Sequence, residues 1–330
     1  MPVRPMPLLV LTAALFPAIA AAQATPPDPR VMGAQVLLDR LGFGPGVIDG
    51  ASGMSLTKAL RGWQQAKGLP VTGRLDDATV GSFEPYRAMP TMIGVTLTPD
   101  ILEGPFVGPI PARESEQAKM ASLGYSDAME KLAERYHTTP ATLVALNAQQ
   151  TKLAPGVVIK VPNVIPPASN FPADLNPAWR KTLWTLNVGS DQPEVAKVVV
   201  DKSDGVLRAF DGAGKLVAQF PATTGSRHDP LPIGQWKIQG RSYNPPFHYN
   251  PKLFWDAGSK DRKALLPPGP NGPVGVVWID LDKQHYGIHG TPNPEKIGRT
   301  ESHGCIRLTN WDAARLAMMV KPGTPAVFQP

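Results

Sequence analysis

At 330 residues the chain exceeds one usual hydrophobic core, so two or three domains are expected, and 42% hydrophobic residues suffice to build them. Thirty-eight prolines and 31 glycines point to many turns and linkers. A net charge of +6 suits an anionic polymer or membrane surface, but the basic residues are dispersed and no phosphate loop, dinucleotide fingerprint or nucleic-acid motif is present, which excludes nucleotide and nucleic-acid partners.

Residues 1–24 read as a secretory signal: Arg4 in a short basic start, an apolar run from Leu8 to Ile19 broken by Pro17, then small residues from Ala20 to Ala24. The run is shorter than the roughly 20 residues a membrane span needs. Export to the periplasm or cell wall is the expectation, and in that oxidising setting Cys305, the one cysteine, has no partner within the chain.

Residues 25–87 form a first module of three short helices. One runs from Val31 to Leu41 and ends at Gly42; a second, capped by Ser55, runs from Leu56 to Ala66; Asp76-Asp77 opens a third. The series Gln35, Leu38, Leu41-Gly42, Ile48-Asp49-Gly50, Trp63-Gln64, Gly68-Leu69, Thr72-Gly73 and Thr79 resembles a peptidoglycan-binding-like domain. Residues 88–118, interrupted by Pro90, Pro99, Pro105, Pro109 and Pro111, read as a linker. A second module spans 119–165: a helix from Asp127 through Tyr136, another from Thr139-Pro140 to Asn147, and a strand from Gly156 to Pro162. It resembles a LysM-like glycan-binding module, with Gly124 to Asp127 standing where that family has its opening strand. Residues 166–194, with Pro166-Pro167 and Pro177, read as the joint to the last domain.

From 195 to 330 the pattern is one of strands: Ala196–Asp201, Gly205–Phe210, Leu216–Phe220, Ile233–Ile238, Val276–Leu281 and Ala326–Phe328. One helix interrupts them, from Trp311 to Val320, opened by a capping box of Thr309 and Asp312. The predicted fold class is α+β multidomain, with a three-helix bundle, a βααβ module and a mostly β, sandwich-like C-terminal domain. A long Pro/Gly-rich insert from Gly240 to Gly275 carries Tyr243, Phe247, His248, Tyr249, Phe254 and Trp255, which suit either a lid or a satellite hydrophobic cluster.

The chemistry concentrates in His289-Gly290-Thr291 and Ser302-His303-Gly304-Cys305-Ile306-Arg307. A thiol with imidazoles near it in sequence is what nucleophilic catalysis needs, because an adjacent base must take the thiol proton. Against this stand an inert core cysteine and a metal site built from His285, His289, His303 and Cys305, whose spacing matches no common zinc motif. His285 otherwise reads as a strand-surface residue.

The H-G-T and S-H-G-C-I-R-L motifs resemble the active-site signature of the L,D-transpeptidases, whose YkuD-type catalytic domain is similar to residues 195–330. Thr224-Gly225, Pro232-Ile233-Gly234 and Pro268-Gly269-Pro270 extend the resemblance, with Leu231 where the family has threonine and an extra glycine at Asn271-Gly272-Pro273. It implies acyl transfer from a peptidoglycan tetrapeptide stem through Cys305, with D-alanine released and an amine of a neighbouring stem forming a 3→3 cross-link. The expected roles are His289 as base and the Gly290 carbonyl as orienter of its ring. Backbone N–H groups around His303, Gly304 and Cys305 would form the oxyanion hole, His303 would also support the thiolate, Ser302 would be a second donor or a turn residue, and Arg307 would hold a substrate carboxylate. No metal or cofactor is implied. The expected partners are stem peptides and glycan, a wall-attached protein as another acceptor, and carbapenem-type inhibitors. An L,D-carboxypeptidase, in which water resolves the thioester, and a non-catalytic wall-binding scaffold are the alternatives.

Overall fold

The computed structural model describes residues 26–148 and 151–330; the signal expected over residues 1–24 lies outside them. The first module is a bundle of α1 (Pro29–Arg40), α2 (Met54–Ala66) and α3 (Asp77–Ser82). Asp28 caps α1 through its side chain and Asp76 caps α3, each satisfying N–H groups that a helix start leaves free. Ser55 does not cap α2: the helix begins a residue earlier, at Met54, with Gly53 in the cap position, so Ser55 falls inside the first turn. Leu38, Phe43, Leu60, Trp63 and Phe83 make the bundle's core, which Leu216 of the C-terminal domain completes.

The second module is built from β1 (Met92–Thr96), the short α4 (Glu114–Gln117), α5 (Ala128–Arg135), α6 (Pro140–Leu146) and β2 (Val158–Pro162). β1 pairs antiparallel with β2, Met92 opposite Pro162 and Thr96 opposite Val158. The expectation that 88–118 is only a linker, and that 124–127 replaces the opening strand, is therefore corrected. The strand sits at Met92–Thr96, flanked by Pro90 and Pro99, and its partner lies more than sixty residues on, so no local hairpin signal marks it. The segment between β1 and α5 is also structural: Leu123 N donates to the Pro268 carbonyl at 2.9 Å and Asn271 N to the Leu123 carbonyl at 2.9 Å.

Residues 166–194, expected to be a joint, contain α7 (Pro177–Thr185), capped by Asn176 with Pro177 at its first position. Trp179 and Leu183 of α7 are buried in the C-terminal core, and Trp179 stacks on Tyr243 at 4.3 Å. Proline read as a breaker here is a helix opener.

The C-terminal domain comprises β3 (Lys197–Asp201), β4 (Val206–Phe210), β5 (Leu216–Pro221), β6 (Gly234–Tyr243), β7 (Phe247–Tyr249), β8 (Ala264–Leu266), β9 (Val277–Leu281), β10 (Gly287–His289), β11 (Ile306–Arg307), α8 (Asn310–Met319) and β12 (Pro325–Gln329). Eight of these strands form one sheet in the order β11-β10-β9-β6-β12-β3-β4-β5. β6 belongs to both halves and shifts register between Ile238 and Gly240. A bulge bends a strand, so one sheet bent at β6 supplies the sandwich-like shape. α8 is buried along nearly its whole length, Trp311, Ala313, Ala314, Leu316 and Ala317 being inaccessible to water. Burying so many apolar side chains at about 25 cal/mol per Å² anchors the helix against β9 and β10.

The insert after β6 is a β7–β8 hairpin standing apart from the main sheet. Tyr249 and Leu266 pack with Leu123 from the second module, and Phe247 and Phe254 join them, so a satellite cluster holds the hairpin.

Candidate active site

β10 and β11 run parallel, Ile288 opposite Ile306 and His289 opposite Arg307. Parallel neighbours need a crossover of about a dozen residues or more, which the Gly290–Cys305 stretch supplies. Side chains alternate along a strand. With Ile288 and Ile306 fully buried on one side, His289 and Arg307 turn to the other, where Cys305 lies one residue before β11. All three line a cleft of about 740 Å³ between the sheet and the β7–β8 hairpin. Arg307 N and O both bond Thr223, tying the motif to the Thr223-Thr224-Gly225 segment.

His289 is 4% exposed. Its Nδ1 lies 2.7 Å from the Gly290 carbonyl; a carbonyl only accepts, so Nδ1 carries the proton and Nε2 is bare. Trp278 stacks on the ring with centroids 5.4 Å apart. Gly287 makes room for that indole, because a Cβ there would stand 2.4 Å from the Trp278 ring. Burial, with a smaller push from the Arg307 charge and against the Gly290 bond, drives the imidazole pKa down to about 3.

Cys305 Sγ lies 3.7 Å from the His285 carbonyl. Burial raises the thiol pKa, only partly offset by the Gly287 N–H bond and the Arg307 charge. Sulfur and ring thus rest as neutral thiol and neutral imidazole. The shifts have one cause, loss of solvation of the charged forms, and they leave His289 free to take the thiol proton, as expected from the sequence. Burial likewise lowers the Arg307 pKa, with the Cys305 and Asp256 charges opposing.

Ser302 is buried and its hydroxyl donates to the Cys305 carbonyl at 2.6 Å, so it clamps the turn rather than facing the thiol. Gly304 has φ +92, and a Cβ there would stand 2.6 Å from the Tyr286 ring. His303 lines the same cleft as Cys305 and places Nε2 2.8 Å from Asp256 of the hairpin loop, with Phe254 edge-on to its ring at 4.8 Å.

Four contributors escaped the sequence reading. His285, taken as a surface histidine, supplies its carbonyl to the thiol from a backbone at φ +69. Trp278 covers His289, Asp256 engages His303, and Asn310 packs behind Gly290. The glycines that make room for Trp278 and Asn310, Gly287 for the first and Gly275 and Gly290 for the second, hinted at these approaches. Among the described residues no three His, Cys, Asp or Glu side chains stand together as a metal site.

A family model described as the L,D-transpeptidase catalytic domain matches residues 196–328, and one described as "Putative peptidoglycan binding domain" matches residues 27–82. A Bacillus licheniformis protein named "Putative L,D-transpeptidase YkuD" is 52% identical over 134 residues, 41% of this chain and 66% of that protein, a little under two thirds. "Putative L,D-transpeptidase YqjB" of Bacillus subtilis is 30% identical over 132 residues, 38% of this chain and 67% of that one. A solved L,D-transpeptidase from Mycobacterium smegmatis overlays with a TM-score of 0.34 at 21% identity, over 42% of this chain and 59% of that one, a likeness that carries no weight beside the sequence matches.

Proposed function

The chain belongs to the L,D-transpeptidase family, and from that premise we propose that it is a peptidoglycan acyltransferase with Cys305 as nucleophile and His289 as base. The observation that carries this reading is the β10–β11 pairing, which sets Cys305 and His289 on one face of one cleft. As Sγ attacks the carbonyl of the third residue of a tetrapeptide stem, its proton passes to the bare Nε2 of His289. The same proton leaves with the amine of D-alanine as the C–N bond breaks, giving a thioester. An amine of a second stem then attacks, giving its proton back through His289, and the thiol is restored.

A neutral resting pair suits this sequence, since charge separates only when the developing oxyanion is present to be stabilised. Backbone N–H groups around His303, Gly304 and Cys305, on the turn that Ser302 clamps, are the donors we assign to it; one lost donor costs about 3–4 kcal/mol in comparable sites. Arg307, held beside the thiol, pairs with a stem carboxylate. The bundle over residues 25–87 and the βααβ module that β1 opens and β2 closes direct the enzyme to wall glycan, in the cell wall or periplasm.

Incubation of the protein with a purified tetrapeptide stem, followed by mass spectrometry, tests the reading. A cross-linked dimer is expected. Tripeptide alone would make water the acceptor and the protein a carboxypeptidase; product only with a lysine-bearing wall protein would make that protein the acceptor. A carbapenem should add to the wild type and not to Cys305→Ala, and the absence of any adduct or product would leave a wall-binding scaffold.

A further inference from the structure

We propose that Glu134, on α5 of the second module, is a positioning residue for His289, acting through Asn310 and the Gly290 peptide. The inference deepens the acyl-transfer reading by extending its machinery into a module outside the catalytic domain. Glu134 Oε1 accepts from Asn310 Nδ2 at 2.8 Å. Asn310 Oδ1 accepts from Val276 N at 3.2 Å, which fixes which way the amide points. That oxygen occupies the space two glycines leave: a Cβ on Gly290 would stand 2.0 Å from it and one on Gly275 1.9 Å. The Gly290 peptide therefore rests against the Asn310 amide, and its carbonyl accepts from His289 Nδ1 at 2.7 Å. A shift of Asn310 moves Gly290, and the imidazole moves with it.

Glu134 is 7% exposed. Burial lifts its pKa to about 7, against the hydrogen bonds from Tyr125 and Asn310, and the Glu130 charge adds to the rise. Glu130 of the same helix and Glu295 of the loop after His289 line with it a cavity of about 410 Å³, which Pro292 also lines. A buried carboxyl is costly to hold without such partners. Here its bonded oxygen holds Asn310, the residue packed against the catalytic loop.

The test uses Cys305 itself, since as the one cysteine it makes alkylation by iodoacetamide a readout that needs no wall substrate. Glu134→Ala should slow alkylation at pH 8 roughly tenfold, and Glu134→Gln, whose amide oxygen still accepts, should stay within about twofold of wild type. In a His289→Ala background Glu134→Ala should change nothing further, which a general loss of packing would not reproduce. Should Glu134→Ala fail to fold, Asn310→Asp carries the test: it sets oxygen against oxygen at Glu134 and at the Pro270 carbonyl, which also accepts from Asn310 Nδ2 at 3.2 Å, and slows the reaction, and adding Glu134→Gln reverses donor and acceptor at the first contact and restores part of the rate. Alkylation of Glu134→Ala at the wild-type rate, an unchanged loss in the His289→Ala background, or a double variant no faster than Asn310→Asp would overturn the proposal. A wild type that takes no carbapenem adduct would defeat the acyl-transfer reading alone, because the alkylation series would still decide this one.

Discussion

At the scale of single residues, reactivity rests on two groups whose surroundings both oppose charge. Burial moves the His289 pKa down to about 3 and the Cys305 pKa up, so across neutral pH the proton sits on sulfur. Iodoacetamide alkylation of the free protein should therefore rise with pH toward a midpoint above the ordinary thiol value of about 8.5, with no limb near the ordinary histidine value of about 6.5. A limb centred near pH 6 would mean an imidazole that still titrates there, as in a preformed ion pair, and would sink this account. The bond between His289 and the Gly290 carbonyl was legible in the sequence, because it joins neighbouring residues. The partner of His303 was not, because Asp256 lies 47 positions away in the hairpin loop; Ser302 was left between two roles because its partner is a backbone oxygen.

At the scale of elements, α8 supports the site. Its first turn begins directly after the motif, and Thr309 Oγ1 accepts from Asp312 N at 3.1 Å, the cap the sequence predicted. Thr309→Ala should lower stability by about 1 kcal/mol, read as a fall in the urea midpoint with an unchanged slope; an unchanged midpoint would mean that packing alone holds the helix end. β3, β4, β5, β6, β9 and β12 of the C-terminal domain were legible because alternation and tight turns are local signals; β7, β8, β10 and β11, of two or three residues each, are too short to carry one. β1 and α7 were not: each is short, each begins near proline, and each is stabilised by contacts far along the chain, β1 by β2 and α7 by the C-terminal core.

At the scale of the whole molecule, the three modules meet in a buried ionic cluster behind the site. Arg315 of α8 binds Asp39 of α1 through both nitrogens, at 2.7 and 3.0 Å. His137, just after α5, places Nδ1 3.1 Å from the same carboxylate and stacks on Trp311 at 4.8 Å. Burial alone would raise the Asp39 pKa, but the Arg315 and His137 charges outweigh it and hold the carboxyl well below its usual range. Its stabilisation is therefore present above the unfolded value of about 4 and is lost as pH falls through the folded one. Asp312 and Glu134 carry the opposite sign: burial lifts each to about 7, so their ionisation erodes stability as pH rises from about 4 to about 7. Asp39→Asn should cost about 3–5 kcal/mol at pH 7, measured by urea unfolding, with the difference shrinking below pH 4. A loss under about 1 kcal/mol would show that the modules are held by apolar contact and not by this cluster.

The sequence by itself determined the family and the local elements: the motif that carries the proposed thiol and base, the helices with their own caps, and the strands with their own alternation. These depend on intrinsic side-chain chemistry and on neighbours a few positions away. Only the tertiary structure decided which groups surround the sulfur, which way His303 turns, and that Glu134 and Asp39 from the amino-terminal modules stand behind the catalytic loop. Those outcomes join residues from 20 to 276 positions apart, and packing in three dimensions selects such pairs without leaving a periodic trace along the chain.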